Sequence, residues 1–176
     1  EAVKIAKGFG MKVLAFDLKP NAAFAQEQGI NYVSLEELLK NSDVITLHLP
    51  YLPSTHHIIN KDNIAFIKKG AILVNTARGG LVETEALVAA LDQGILTGAG
   101  LDVLEEELFI KEEAQLLSKE FSKDYDLKTA LQNHVLLEKK NVLITPHNAF
   151  NSKEALERIL DTTIENINAF IENKPI

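Results

Sequence analysis

The 176-residue chain contains no cysteine. That absence excludes disulfides, thiolate metal sites and cysteine nucleophiles, and it agrees with a reducing compartment, which makes the cytoplasm the expected location. No apolar run approaches the roughly 18 to 20 residues of a membrane helix, and the N-terminus lacks the basic-then-apolar order of a signal peptide, so a membrane is not an expected partner. Basic tracts are missing as well. The 25 Asp and Glu outnumber the 18 Lys and Arg, and the formal charge of -7 is spread along the chain without a Lys/Arg run that could follow a phosphate backbone. Nucleic acid is therefore not an expected partner either. Nowhere does a G-x-G-x-x-G occur.

What is present is the balance of a globular protein, with 46% apolar and 24% charged residues in a length suited to one domain. The opening EAVKIAKGFG reads as the middle of a helix, with Ala2, Ile5, Ala6 and Phe9 on one face and no N-cap before them. Apolar runs at Lys12–Asp17, Tyr32–Val33, Asp43–Pro50, Ala71–Thr76, Leu96–Val103 and Asn141–Thr145 have the profile of strands. Between them, Pro20–Gln28, Leu35–Lys40, Lys61–Lys69 and Glu83–Gln93 are expected helices, and Tyr51–Asn60 an aperiodic loop. The βαβα alternation predicts an α/β fold, a doubly wound parallel sheet covered by helices on both faces. Residues 104–140 read as a charged helical insertion with Leu116, Leu117, Phe121, Leu127, Leu131 and Leu136 as packing positions, and Ser152 is expected to cap a final helix over 152–173.

Asp17 ends an early strand, where doubly wound nucleotide-binding sheets carry an acid that hydrogen-bonds the adenosine ribose; a solvated residue at a strand end is the other reading. The glycine fingerprint that accompanies such an acid lies about 20 residues upstream, which counts back to before Glu1. Gly8 and Gly10 do not replace it, because they follow a helix rather than open one. His48, His56, His57 and His134 have no ligand partner at helical or hairpin spacing, so no metal site is expected.

The strand ending FD, the HLP after the next strand, and then VNTARGGLVETEALVAAL, GAGLDVLEEE and ITPHNAF run in an order that resembles the D-isomer-specific 2-hydroxyacid dehydrogenases, over nearly the whole chain. The interval of about 40 residues before His147 is similar to the D-lactate dehydrogenase type. The resemblance implies the NAD-binding domain of that family, Rossmann-like but incomplete at the N-terminus: residues 1–176 without the first strand, the Gly-rich loop or the substrate domain. On that reading these residues alone have little turnover and bind NAD weakly.

By the same resemblance Arg78 would bind the substrate carboxylate through its planar fork. His147 would be the general acid/base at the carbonyl oxygen, and Glu107, five residues beyond the aspartate of GLDV, would favour its protonated form. Asp17, Leu49, Pro50, Thr55, Thr76, Ala77 and Asp102 would contact the cofactor, Asp102 at the nicotinamide end. The carboxylate of Asp17 favours NAD over NADP. The implied reaction interconverts a small 2-oxo acid and its D-2-hydroxy acid, with pyruvate and D-lactate favoured, in a protein that is a homodimer at full length. Noncatalytic corepressors of the same fold, sensing NAD(H), resemble the family too and stand as the alternative.

Overall fold

All six of the apolar runs become short parallel strands in the computed structural model, which describes residues 1–106 and 127–174. The element order is α1 (Ala2–Gly8), β1 (Leu14–Ala15), α2 (Ala22–Gln28), β2 (Asn31–Tyr32), α3 (Leu35–Asn41), β3 (Val44–Leu47), β4 (Ala71–Asn75), α4 (Thr84–Asp92), β5 (Leu96–Leu101), α5 (Leu127–Glu138), β6 (Val142–Ile144) and α6 (Lys153–Ile171). Strands β3, β4, β5 and β6 form one parallel sheet in that order, while β1 and β2 pair separately, also in parallel. Between β1 and β3 lies a cavity of about 250 Å³ whose wall includes Leu14, Phe16, Asp17, Ile45, Leu47 and Leu49.

Local chemistry sets the helix boundaries. Asn21, Ser34 and Ser152 each accept a hydrogen bond from the backbone N–H three residues on, satisfying a donor that the first turn leaves without a partner. Ser34 and Glu37 have the spacing of a capping box. Gly29 ends α2 at φ +58, a left-handed conformation that costs glycine little.

The core lies on one face of the four-stranded sheet. Ile45, Leu47, Leu73, Leu96 and Leu101 point into it, and α4 closes it with Ala86, Leu87, Ala90 and Leu91. Burying each large side chain contributes about 1.5 to 3 kcal/mol relative to leaving it exposed. The opposite face is open: Val44, Ile72 and Leu143 are exposed, and neither α1 nor α6 buries a residue. The parallel α/β architecture is as expected, and among the described residues burial along β3 alternates, so the core occupies one face of the sheet. The apolar face expected of α1 is likewise exposed at Ile5 and Phe9.

Two further expectations change. Lys61–Lys69 is not an α-helix and contributes only a 3₁₀ turn at Ile64–Phe66. The Asn60 side chain accepts from the N–H groups of Asp62 and Asn63, and the Asn63 side chain accepts from that of Asn60. These local bonds give the backbone an alternative to helix. In α5 the buried face is Thr129, Ala130, Asn133 and Leu136, so Leu136 packs as expected while Leu127 and Leu131 are exposed. Leu116, Leu117 and Phe121 lie outside the described residues. Among those described, no helix is long and apolar enough to cross a membrane.

Candidate functional site

The carboxyl ends of the strands carry most of the candidate residues. Leu49 and Pro50 follow β3; Thr76, Ala77 and Arg78 follow β4; Asp102 follows β5; His147 lies beyond β6. Asn75 is in register with Leu101, and Leu101 with Ile144, so the last three segments leave the sheet at one edge, about 4.8 Å from strand to strand. Leu49, Pro50, Thr76, Ala77 and Arg78 line a single cleft of about 670 Å³ together with His48 and Tyr51. Leu49 also borders the cavity between the two sheets, where Asp17 sits. The Asp17 carboxylate accepts from the Lys19 N–H at 2.7 Å and remains exposed.

Arg78 owes its position to Asn75, a fully buried amide at the end of an apolar strand. The Asn75 carbonyl accepts from the Ala77 N–H at 3.0 Å, and its amide donates to the Arg78 carbonyl at 2.9 Å, which pins the turn on both sides. The Arg78 side chain is exposed and donates one bond to the Ala77 carbonyl. Among the described residues it makes no ion pair, so the fork is available to a carboxylate. Thr55 is a different case. It is 2% exposed, and its hydroxyl accepts from Leu52 N–H at 2.8 Å and donates to the Pro50 carbonyl at 2.6 Å, so it shapes the loop that carries Pro50.

Asp102 is 4% exposed and organises the segment around His147. One carboxylate oxygen accepts from the Thr145 hydroxyl and the Asn148 N–H; the other accepts from the Ala149 N–H at 2.8 Å. Burial by itself raises its pKa, but these three bonds and the nearby His147 outweigh burial and hold the carboxyl below its ordinary 3.8. His147 adopts a left-handed backbone, φ +54, and its ring meets Phe150 edge to face at 6.3 Å. Glu107 lies outside the described residues.

The depressed pKa makes a prediction about stability. A carboxyl with a lower pKa folded than unfolded stabilises the fold fully above its unfolded value, and that contribution is lost as the pH falls through the folded one. Asp102→Asn should therefore cost about 2 kcal/mol at neutral pH. The gap from wild type should close as the pH drops below 3.8. Urea unfolding of both proteins at a series of pH values checks this, and a gap that persists unchanged in acid would contradict it.

Reasoning from the sequence missed Asn75, Tyr51 and the pair His57–Glu105. Asn75 had a visible signal, an amide inside AILVNT where an apolar residue would continue the strand. His57 and Glu105 had none, because they are far apart in the chain; their side chains meet at 2.5 Å.

Together these features define a nucleotide-binding α/β domain. Its candidate groups gather at the carboxyl ends of a parallel sheet, where open α/β sheets bind their ligands. An exposed acid just beyond β1, and Leu49 and Pro50 lining the cleft that holds Arg78, fit such a ligand. The chain belongs to the D-isomer specific 2-hydroxyacid dehydrogenase family, whose NAD binding domain matches residues 1–149. The 2-hydroxyacid dehydrogenase homolog 2 of Schizosaccharomyces pombe is 42% identical over 168 residues, covering 94% of this chain and 47% of that protein. A hydroxypyruvate reductase of Blautia hydrogenotrophica is 40% identical, over 98% of this chain and 47% of that one. Among solved structures, D-lactate dehydrogenase from Aquifex aeolicus, complexed with NAD and lactic acid, superposes with a TM-score of 0.84 at 41% identity, covering 97% of this chain and 49% of that one. The chain thus spans about half the length of the relatives it matches, and they act on different acids.

Proposed function

We propose that this chain is the nucleotide-binding part of an NAD-dependent oxidoreductase that interconverts a small 2-oxo acid and its D-2-hydroxy acid, with pyruvate and D-lactate the favoured pair. The observation that carries the reading is the cleft that Arg78 shares with Leu49, Pro50, Thr76 and Ala77. It puts a cation without an ion pair among the described residues beside the apolar wall expected of a cofactor pocket. The lactic acid complex of the Aquifex aeolicus relative supports the choice of substrate.

In this mechanism Asp17 would accept hydrogen bonds from the adenosine ribose, and Leu49 and Pro50 would cover the base. Arg78 holds the substrate carboxylate with two parallel bonds, which fixes the orientation of C2. NADH, when held there, would supply the hydride that C2 takes up in the reducing direction. His147 gives its proton to the carbonyl oxygen, so that 2-oxo acid, hydride and proton become the hydroxy acid, and takes it back in reverse. Glu107 would favour the protonated imidazole, as the family resemblance implies, and Asp102 holds the turn on which His147 stands.

The same reading assigns a first strand and a Gly-rich loop, both outside this chain, to the space between β1 and β3. Both neighbours there are parallel edge strands, and the cavity wall is mostly apolar. A separate substrate domain closes the cleft, and the whole protein is a cytoplasmic homodimer. Steady-state oxidation of NADH by the whole protein, with pyruvate, hydroxypyruvate and glyoxylate as substrates, tests the proposal. Turnover with pyruvate foremost is expected. NADH binding without turnover on any of the three would instead favour a noncatalytic sensor.

A further inference from the structure

The strongest feature outside the proposed machinery is a set of contacts that joins three loops beneath Arg78. His57 stands in the loop after β3 in a left-handed conformation, φ +49, which is unfavourable for a residue with a side chain. Its N–H donates to the Gly80 carbonyl at 2.8 Å, two residues beyond Arg78. Its Nε2 meets Glu105 Oε1 at 2.5 Å, in the segment after β5. One residue therefore grips the Arg78 turn with its backbone and the neighbouring segment with its side chain.

Glu105 is fixed from the other side. Its second oxygen accepts from the N–H and hydroxyl of buried Thr84, at 3.2 and 2.8 Å, and its backbone carbonyl accepts from the buried Asn133 amide at 2.7 Å. Gly79 is pressed against the same backbone: a methyl group there would come within 2.1 Å of the Leu104 carbonyl. On the far side Gly80 abuts the Tyr51 ring, whose hydroxyl is 3.0 Å from His56 Nδ1, and His56 stacks on His57. The Arg78 turn is thus held between Tyr51 and the 104–105 backbone, and the His57–Glu105 bond ties the two sides together. It is well over half buried, in surroundings where a charge-assisted bond is stronger than in water.

We propose that His57, through its bond to Glu105, is a positioning residue that fixes the Arg78 turn for binding the substrate carboxylate. This rests on the function proposed above. It differs from a merely structural role in what it should change. A displaced Arg78 weakens capture and orientation of the 2-oxo acid, while the adenosine pocket, formed by Asp17, Leu49 and Pro50, stays as it was.

The test uses the whole protein and compares wild type with His57→Ala, His57→Gln, Glu105→Ala and the double variant His57→Ala/Glu105→Ala. For each, kcat and KM for pyruvate, NADH affinity by fluorescence and the thermal midpoint are measured. His57→Ala should lower kcat/KM for pyruvate by about ten- to a hundredfold, the range in which small misplacements act. NADH affinity should stay within about twofold, since uniform cofactor binding is not what is removed. His57→Gln, which keeps a donor near the position of Nε2, should recover much of the loss. The double variant should be no slower than either single one, as expected of residues acting through one bond. Unchanged kcat/KM in His57→Ala overturns the proposal. So does a loss that follows the thermal midpoint and NADH affinity equally in His57→Ala and His57→Gln. A wild-type protein that binds NADH but turns over no 2-oxo acid fails one step earlier and overturns the dehydrogenase reading as well, so the two failures are distinguishable.

Discussion

Replacing His147 with asparagine (His147→Asn) is expected to lower turnover by about two to four orders of magnitude, the contribution of a positioned general acid. Stability should change by less than about 1 kcal/mol, within the ordinary range of a partly exposed substitution. The two effects separate because different atoms carry them. The backbone at position 147 is left-handed, at φ +54. Asparagine tolerates that region better than most residues. The turn is anchored by the N–H groups of Asn148 and Ala149 on Asp102, which the substitution leaves in place. What is removed is the imidazole, and the amide that replaces it neither gives nor takes a proton near neutral pH. Steady-state kinetics and urea unfolding of the whole protein measure both halves. Turnover close to that of wild type would exclude His147 from the chemistry, whereas a large loss of stability would mean that the ring chiefly supports the fold.

Introducing a methyl group at Gly79 (Gly79→Ala) should cost about 3 kcal/mol or more, at the upper end of overpacking effects. The added carbon would lie 2.1 Å from both the carbonyl carbon and oxygen of Leu104 and 2.3 Å from the Glu105 nitrogen. These are backbone atoms and cannot turn aside as a side chain would. Either the Arg78 turn or the strand end after β5 has to move. Gly100→Ala is the matched control, because there a methyl group meets only the Val74 side chain at 3.8 Å, an ordinary contact. Its cost should be under about 1 kcal/mol. Equal urea midpoints for the two variants would mean that Gly79 is not held as described.

The strands were legible because an apolar run between turn residues leaves little choice of structure, and Ala71–Asn75 and Val142–Ile144 formed within one or two residues of the expected spans. What the run could not reveal was its second face. Val44, Ile72 and Leu143 are apolar whether or not anything covers them, so composition alone could not separate a strand buried on both sides from one buried on one. The segment after Asn60 misled for another reason: its helical pattern was real, but two asparagine side chains captured the backbone first. In the site, Arg78 and His147 stand within short motifs and could be found by reading along the chain. Asn75 left a trace as a polar residue ending an apolar strand. His57 and Glu105 left none, since 48 positions separate them and only the parallel crossovers bring them together.

Those crossovers bear on how the chain reaches its structure. Val44 pairs with Ile72, Ala71 with Leu96 and Ala99 with Val142, each across a connection far longer than the minimum of about a dozen residues for parallel strands. Among the described residues no hairpin is available to start the sheet, and α4, with nine residues, is too short to persist in water before it packs. The early steps of folding must therefore close long stretches of disordered chain before any ladder bond rewards them. The expected kinetic signature is slow, concerted refolding in which helix and sheet signals rise together.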